Sequence, residues 1–250
     1  MDRSDWIVIP DLHGRRFWRR AVEGHEDDRI VFLGDYLDPY RWEEITPGDS
    51  TRELKAVIEF RKAHPDNVVL LLGNHDLGYL DPSVCECRRD IFGAERNRRI
   101  LEDNLDLFDL VHETSVDGRA VLFTHAGIRQ DWVRLNDWLF PEGTFKPERL
   151  NTMLHDPAKR DDLMLTLSRC RRTAAGTTPS GAPYGLTPTS SWTRATSSPA
   201  TSTSSGTPCT AAVLCPSGAA GGAWTAPTPS GWTTQARCIT WIIKDNNIKL

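Results

Sequence analysis

The feature that most restricts the possible folds of this chain is an apolar strand that ends directly in polar residues. Residues Val68 to Leu72 are five consecutive apolar side chains, and Gly73-Asn74-His75-Asp76 follow them at once. A short apolar run of this kind is typical of a strand that is covered on both faces. Gly73 permits a sharp turn, so an amide, an imidazole and a carboxylate leave the strand together. Such groups can bind a metal ion and transfer a proton, although an ordinary polar turn would look the same.

Three further apolar runs end in the same way, and this repetition favours a functional interpretation over a chance pattern. Ligands of open α/β sheets bind outside the carboxyl ends of the strands, so we expect these strand ends to meet at one sheet edge. Residues two apart on an extended segment point to the same side, and an Asp-x-His spacing therefore suits a shared ion. The runs and their motifs are Trp6 to Pro10 with Asp11-Leu12-His13-Gly14, Arg29 to Leu33 with Gly34-Asp35-Tyr36-Leu37-Asp38, and Ala120 to Thr124 with His125-Ala126-Gly127.

This order of motifs resembles that of the calcineurin-like metallophosphoesterases, and residues 5 to about 168 carry the resemblance. The Asp11-x-His13-Gly14 and His125-x-Gly127 forms are most similar to the branch that holds bacterial protein-phosphatase-like and dinucleoside-tetraphosphatase-like enzymes. The resemblance implies an α/β fold, a four-layer αββα sandwich of two mixed sheets with helices outside. It also implies a hydrolase that cleaves phosphate mono- or diesters with a water molecule activated by two metal ions.

The resemblance gives each strand-end residue a role in binding this metal pair. Asp11 and His13 are expected to hold the first ion, and Asp35 is expected to bridge both ions. Asn74 and His125 are expected to hold the second ion. Two divalent ions about 3.5–4 Å apart clamp a phosphoryl group and lower the pKa of a bridging water. Mixed oxygen and nitrogen ligands suit Mn, Fe or Zn better than Mg or Ca.

The resemblance also implies a catalytic acid beside the metal ions. His75 is expected to protonate the leaving oxygen, and either Asp38 or Asp76 is expected to orient its imidazole. The protein-phosphatase branch usually has an arginine after the residue equivalent to Asp38, but here that position is Pro39. The residue before the Gly-Asn-His motif is Leu72 instead of the arginine of that branch. Both departures argue against phosphoprotein substrates.

Two arginines are candidates for replacing the missing phosphate ligands. Arg41 follows the Asp38 motif, and Arg15 begins a basic segment, 15–22, that is predicted to be a helix pointing at the site. A basic helix is more often simply a solvated face. Tyr40 and Trp42 could stack on a nucleotide base or could merely cover the core. The expected partner is a small phosphorylated substrate, which includes the possibility of a nucleotide.

Composition restricts the function classes further. The formal charge is −4, which argues against a general nucleic-acid-binding protein. No apolar run reaches the roughly 18 residues of a membrane span, and the polar start of the chain does not resemble a signal peptide. We therefore expect a cytoplasmic protein without membrane contact.

Cys85 and Cys87 are then expected to be free thiols. The apolar spacing predicts a helix over 50–63, and the strongly charged segment 88–103 and the segment 147–155 are also predicted to be helical.

The chain changes character abruptly near residue 168. From Cys170 to Ile243 there is no Asp, Glu, Lys, His, Asn, Phe or Met, and no histidine follows His155. The metallophosphoesterases that this chain resembles normally supply one more metal ligand from a C-terminal Gly-His motif. We therefore predict a catalytic domain over residues 1–168 and an aberrant, poorly ordered Ser/Thr/Pro/Ala-rich tail over residues 169–250.

Our hypothesis for the tail is translation in the wrong reading frame. In a shifted frame, the codons of Ser205 to Pro208 permit Gly-His-Thr, which is the missing motif. A low-complexity linker is the alternative interpretation, although Trp192, Trp224, Trp232 and Trp241 are unusual for one. A tail of this composition is expected to leave the second sheet incomplete and the metal pair one histidine short. The alternative function is therefore a catalytically impaired remnant that binds metal or phosphate.

Overall fold

The computed structural model describes residues 6–85, 87–116, 119–128 and 130–169, and the backbone of four short strands in the tail. Ten strands are described: β1 Trp6–Ile9, β2 Arg29–Phe32, β3 Val68–Leu71, β4 Phe108–Asp109, β5 Val111–Val116, β6 Arg119–Thr124, β7 Trp192–Ala195, β8 Ala212–Pro216, β9 Trp241–Lys244 and β10 Asn247–Lys249. They form a six-stranded sheet in the order β10-β9-β1-β2-β3-β4 and a four-stranded sheet in the order β5-β6-β8-β7.

The described helices are α1 Phe17–Val22, α2 Pro47–Ala63, α3 Asn74–Leu80, α4 Ala94–Glu102, α5 Gln130–Leu135, α6 Pro147–His155 and α7 Arg160–Arg169. Helix α2 begins three residues before the predicted start, because Thr46 and Asp49 form a capping box around Pro47. Helix α4 begins at Ala94, so residues 88–93 are a loop where a helix was predicted. None of the helices in the described residues is long and apolar enough to cross a membrane.

Alternating side chains of the strands form the two core layers of the sandwich. Trp6 and Val8 of β1 pack in one cluster with Val121 and Phe123 of β6, which joins the two sheets face to face. Ile7 and Ile9 of β1 belong to the other cluster, together with side chains of α1 and α2. This period of two is the expected consequence of a strand whose two faces are both covered.

The predicted fold class is confirmed, with one difference in the second sheet. In the first sheet, β1 to β4 are parallel and β9 pairs antiparallel with β1, so this sheet is mixed. In the second sheet all three pairings are antiparallel, so the prediction of a second mixed sheet is wrong. The antiparallel pairing of β5 with β6 follows from their order in the chain, because consecutive strands with a short connection form an antiparallel hairpin.

The structure describes four short strands within the tail, for which the sequence analysis expects poor order and an incomplete second sheet. Strands β7 and β8 extend the second sheet beside β6, and β9 and β10 extend the first sheet beside β1. Short apolar runs such as Val213-Leu214 and Ile242-Ile243 have high strand propensity even within this composition. Residues 205–208, where the shifted frame permits a Gly-His motif, lie outside the described residues. The domain division at residue 168 and the frame hypothesis stay predictions.

Candidate metal centre

The polar residues that follow β1, β2, β3 and β6 meet in one buried site, as the strand-end pattern predicts. Asp11, His13, Asp35 and His125 are each less than 5% exposed. The parallel register of β1, β2 and β3 aligns their carboxyl ends, which is why motifs far apart in sequence come together. A cluster of carboxylates and imidazoles this deeply buried needs a compensating charge.

Two groups of possible ligands share one carboxylate. One group contains His13, Asp35 and His75, and the other contains Asp11, Asp35 and His125, with ligand atoms all within 4.8 Å of one another in each group. Asp35, which was predicted to bridge two ions, is thus the residue that belongs to both groups. The oxygen Oδ1 of Asn74 is 2.9 Å from Nε2 of His125 and so adjoins the second group. Asp11 shares its group with His125 rather than with His13, whereas the prediction pairs Asp11 with His13, and the division of the ligands between two ions stays a prediction.

One observation tests directly whether these residues fit a cation. The Oδ1 atom of Asp11 is fully buried and has no hydrogen-bond partner among the described residues. An ionised oxygen in this position is costly unless a positive charge faces it. The donor set of carboxylates and imidazoles is the kind that binds Mn, Fe or Zn, so the residues fit a divalent metal.

Hydrogen bonds to backbone carbonyls set the tautomers of two histidines. Nδ1 of His13 is 2.8 Å from the carbonyl oxygen of Leu37, and Nδ1 of His125 is 2.9 Å from that of Leu33. A carbonyl only accepts, so each Nδ1 carries a hydrogen, and Nε2 keeps a lone pair in the neutral form of each ring. Each Nε2 lies 3.7 Å from Oδ2 of Asp35. Backbone contacts of this kind are the usual means of aiming a histidine at a metal.

The buried surroundings shift the pKa values of several site residues. Burial lowers the pKa of His13 to about 4, so its imidazole is neutral and able to bind a cation. Burial raises the pKa of Asp11 to about 6, and the nearby Asp35 adds to this effect. Burial opposes ionisation of Asp35 too, but the three neighbouring histidines outweigh it and lower its pKa.

Asp38, rather than Asp76, contacts the predicted catalytic acid. Oδ2 of Asp38 is 2.8 Å from Nδ1 of His75, and the hydroxyl of Tyr79 donates to its other oxygen at 2.6 Å. Burial lowers the pKa of His75, but the hydrogen bond to Asp38 and the charge of Asp35 raise it above its usual value. His75 therefore has the environment of a proton donor.

Asp76 holds the backbone of the site. Its carboxylate accepts from the backbone N–H groups of Asp35, Tyr36 and Gly73, at 2.7, 3.1 and 2.9 Å. The two turns it joins are in close contact, since a Cβ atom on Gly34 would overlap the backbone of Gly73. Asp76 thus supports the backbone of the two turns that carry the candidate site residues.

Three site residues have strained backbones. His13, Asp35 and Asp38 have φ values of 46°, 55° and 62°, in the left-handed region that glycine tolerates better than other residues. Such strain persists only where the surrounding contacts enforce it, and it is concentrated at functional sites. The strained backbone of the turns after β1 and β2 therefore fixes the positions of these three side chains.

The comparison with known families agrees with this geometry. The family model described as "Calcineurin-like phosphoesterase" matches residues 7–172. The chain belongs to the calcineurin-like phosphoesterases. No curated protein matches the chain at a significant level. The matched range contains every strand-end motif of the site, so this calcineurin-like phosphoesterase carries its candidate metal-binding residues within the matched range.

The two predicted substrate-binding arginines lie in different surroundings. Arg15 is paired with Glu43, whose Oε1 accepts from its Nε and Nη2 at 2.9 and 2.6 Å. Arg41 is exposed in a turn beside Tyr40. Sequence reasoning missed Arg88, whose guanidinium lies 3.7 Å from the centre of the Tyr40 ring. No sequence motif includes Arg88, and its segment was predicted to be part of a helix.

The two cysteines adjoin a predicted metal ligand. The structure joins Cys85 and Cys87 in a disulfide, whereas the sequence analysis predicted free thiols. Nδ2 of Asn74 donates to the sulfur of Cys87 at 2.9 Å and to that of Cys85 at 3.4 Å. These contacts orient the amide so that its Oδ1 faces His125. Sequence spacing alone could not show this contact, since ten residues separate Asn74 from Cys85.

Proposed function

We propose that this calcineurin-like phosphoesterase hydrolyses phosphate mono- or diesters with the help of two divalent ions, Mn, Fe or Zn. The observation that carries the proposal is the buried carboxylate of Asp35, shared between two ligand groups beside the His75–Asp38 pair. The residues proposed to hold the ions are Asp11, His13, Asp35, Asn74 and His125. When bound, such ions supply Lewis-acid stabilisation of the phosphoryl group and a nucleophilic water at neutral pH.

The proton transfer belongs to the chain itself. Nδ1 of His75 donates to Asp38, which leaves Nε2 to protonate the leaving oxygen of the ester. Asp38 is fixed in turn by the Tyr79 hydroxyl and by the backbone N–H of Asp90, at 2.6 and 3.1 Å. An acid held this rigidly needs little reorganisation when the phosphorus–oxygen bond breaks.

An aromatic or nucleoside leaving group suits the rim of this site better than an aliphatic one. The ring of Tyr40 lies 5.1 Å from that of His13, and Trp42 stacks on Tyr40 at 4.7 Å. Trp42 is 69% exposed, so its indole face is open to a planar group. A stacking partner of this kind stabilises a bound aromatic ring by about 1 kcal/mol.

Hydrolysis of an aryl phosphate ester with Mn²⁺ tests the proposal. His75→Asn removes the proton donor and is expected to lower kcat by about 10²–10⁴-fold. The matched control is His25→Asn, because His25 also faces a carboxylate, Asp28, at 2.8 Å but on the protein surface. Loss of activity in His75→Asn alone supports the proposal. Equal activity in both variants, or activity that survives metal chelation, contradicts it.

A metal- or phosphate-binding remnant is the second candidate. The absence of any histidine after His155 favours it, since a C-terminal ligand for the pair is then missing. The decisive comparison is between this chain and a version whose residues after 168 are read in the shifted frame. Metal binding with turnover only in the restored version supports the remnant. Equal turnover in both favours the enzyme and means that other residues complete the site.

A further inference from the structure

Residues 87–93 form the last part of the connection between α3 and α4, and one side chain of this loop lies close to the candidate metal centre. Nε and Nη2 of Arg88 donate to the carbonyl oxygen of Asp38 at 3.0 and 2.8 Å. The same guanidinium lies 3.7 Å above the ring of Tyr40. Arg88 is only partly buried, so part of this residue is accessible to solvent. Arg88, a cation from a segment that is distant in sequence, thus lies close to the proposed proton donor His75 and the proposed ligand His13.

The guanidinium keeps hydrogen-bonding capacity that the protein does not use. Nη2 of Arg88 is 3.4 Å from Nδ1 of His13, but that nitrogen already donates its hydrogen to Leu37. Two donors cannot bond to each other, so this contact leaves the Arg88 hydrogen available. Nη1 of Arg88 makes no hydrogen bond within the described part of the chain. Donors on two nitrogens therefore remain for an anion.

The surrounding loop holds Arg88 in this position without a ligand. The backbone N–H of Asp90 donates to Asp38 at 3.1 Å and to the Tyr79 hydroxyl at 3.0 Å. Nη1 of Arg89 donates to the carbonyl of Gly78 at 2.7 Å. Tyr40 supports the flat face of the guanidinium. A side chain fixed in advance loses less entropy on binding, so such a site binds an anion more tightly.

The other two arginines near the site differ from Arg88 in their partners. Arg15 is paired with Glu43, and Arg41 lies exposed beyond Tyr40. No carboxylate forms an ion pair with Arg88 among the described residues, although its charge lowers the pKa of both His13 and His75. Its positive charge is therefore directed into the centre and is not neutralised locally. Phosphate oxygens match the planar donor fork of a guanidinium particularly well.

We propose that Arg88 is the residue that binds the phosphoryl oxygens of the substrate, in the place left by Pro39 and Leu72. This inference rests on the proposed phosphoesterase function, since it names the ligand of the same site. Arg88 touches the substrate and moves no proton. It places the ester between the metal ligands and His75, and it prefers a phosphate group whose oxygens can accept two hydrogen bonds.

Calorimetric titration of inorganic phosphate into Mn²⁺-loaded protein tests this role without turnover. Arg88→Met is expected to raise the Kd for phosphate about 10–100-fold, the range expected for a charge-assisted hydrogen bond. Arg88→Lys keeps the charge and is expected to recover part of the affinity. The control is Arg99→Met, because Arg99 is an exposed arginine of α4 paired with Glu95. Bound Mn²⁺ and the Tm are measured for every variant and are expected to match the wild-type protein.

The outcomes separate this proposal from the proposed function. A phosphate Kd that is unchanged in Arg88→Met overturns the role of Arg88, as does a wild-type protein that binds no phosphate. Loss of Mn²⁺ in Arg88→Met in proportion to the loss of phosphate also overturns it, because Arg88 would then support His13. If phosphate binding depends on Arg88 while the wild-type protein hydrolyses no ester, only the proposed function fails. If the wild-type protein hydrolyses an aryl phosphate and Arg88→Met has the same KM, only the role of Arg88 fails.

Discussion

The carboxylate of Asp76 accepts a hydrogen bond of 2.7 Å from the backbone N–H of Asp35. Asp76 belongs to the turn after β3, whereas Asp35 belongs to the turn after β2. Two further bonds, from Tyr36 and Gly73, complete the connection. The side chain that was a candidate for orienting His75 therefore stabilises the backbone of Asp35, the proposed shared metal ligand.

Replacing Asp76 tests this structural role. Asp76→Asn exchanges one accepting oxygen for an NH₂ group, which would face a backbone donor in the buried site. We expect a loss of about 2–3 kcal/mol in the free energy of unfolding, measured by urea denaturation of the metal-free protein. The control Asp106→Asn, at an exposed position, is expected to change it by less than about 0.5 kcal/mol. Similar stability of the two variants would contradict the role of Asp76.

The contact between Gly73 and Asp35 predicts a second effect. A Cβ atom on Gly73 would overlap Oδ1 and the backbone nitrogen of Asp35, so Gly73→Ala must displace the bridging ligand. We expect a loss of about 1–3 kcal/mol in stability and weaker Mn²⁺ binding. Gly48→Ala is the matched control, since a Cβ there meets its nearest atom at 3.7 Å within α2. That variant is expected to be neutral or slightly stabilised, and equal behaviour of the two would refute the close approach.

The pair of His75 and Asp38 predicts a pH effect with a definite sign. The hydrogen bond to Asp38 stabilises the imidazolium of His75 and raises its pKa. Asp38→Asn is therefore expected to lower this pKa, followed by NMR titration of the metal-free protein, and to move the alkaline limb of the kcat profile to lower pH. Asp28→Asn, beside the exposed His25, is expected to leave the profile unchanged.

The same pair predicts how stability depends on pH in the metal-free protein. Because the folded pKa of His75 is raised, the stabilisation from its imidazolium is fully present below the unfolded pKa of about 6.5. This contribution is lost as the pH rises through the folded pKa. The difference in unfolding free energy between the wild-type protein and Asp38→Asn should then be larger at pH 6 than at alkaline pH. A difference that grows with pH would show that Asp38 does not stabilise the imidazolium.

The raised pKa of Asp11 predicts that protons compete with metal. With a pKa of about 6, this carboxyl must lose a proton to bind a cation under acidic conditions. Its titration alone should weaken Mn²⁺ binding about fourfold between pH 7.5 and pH 5.5, as measured by calorimetry. Asp11→Asn should weaken Mn²⁺ binding at pH 7.5 by about tenfold or more, whereas Asp161→Asn, on the exposed face of α7, should not. Unchanged affinity in Asp11→Asn would exclude Asp11 as a ligand.

Sequence periodicity predicted the elements that depend on local pattern. The apolar runs before Asp11, Asp35, Asn74 and His125 are strands, and their polar ends meet as expected. The loop that carries Arg88 was predicted to be helical, because its charged residues have good helix propensity. Contacts with Asp38 and Tyr79 outweigh that preference, and such tertiary contacts leave no periodic signal in the chain. The tail strands were missed for a related reason, since strands this short depend on a neighbouring sheet for their hydrogen bonds.

The amino-acid sequence by itself determined the sandwich class, the strand ends that carry the ligands and the family to which the chain belongs. The strand ends follow from apolar runs that are followed at once by polar residues, which is a local pattern. The sandwich class and the family follow from the resemblance that the order of these motifs carries. Only the tertiary structure decided that Asp38 faces His75, that Asp76 binds the backbone and that Arg88 reaches the centre. Each of these relations joins residues 37 to 50 positions apart in the sequence through hydrogen bonds. Hydrogen bonds have a short range, so these contacts depend on the packed fold and not on sequence spacing.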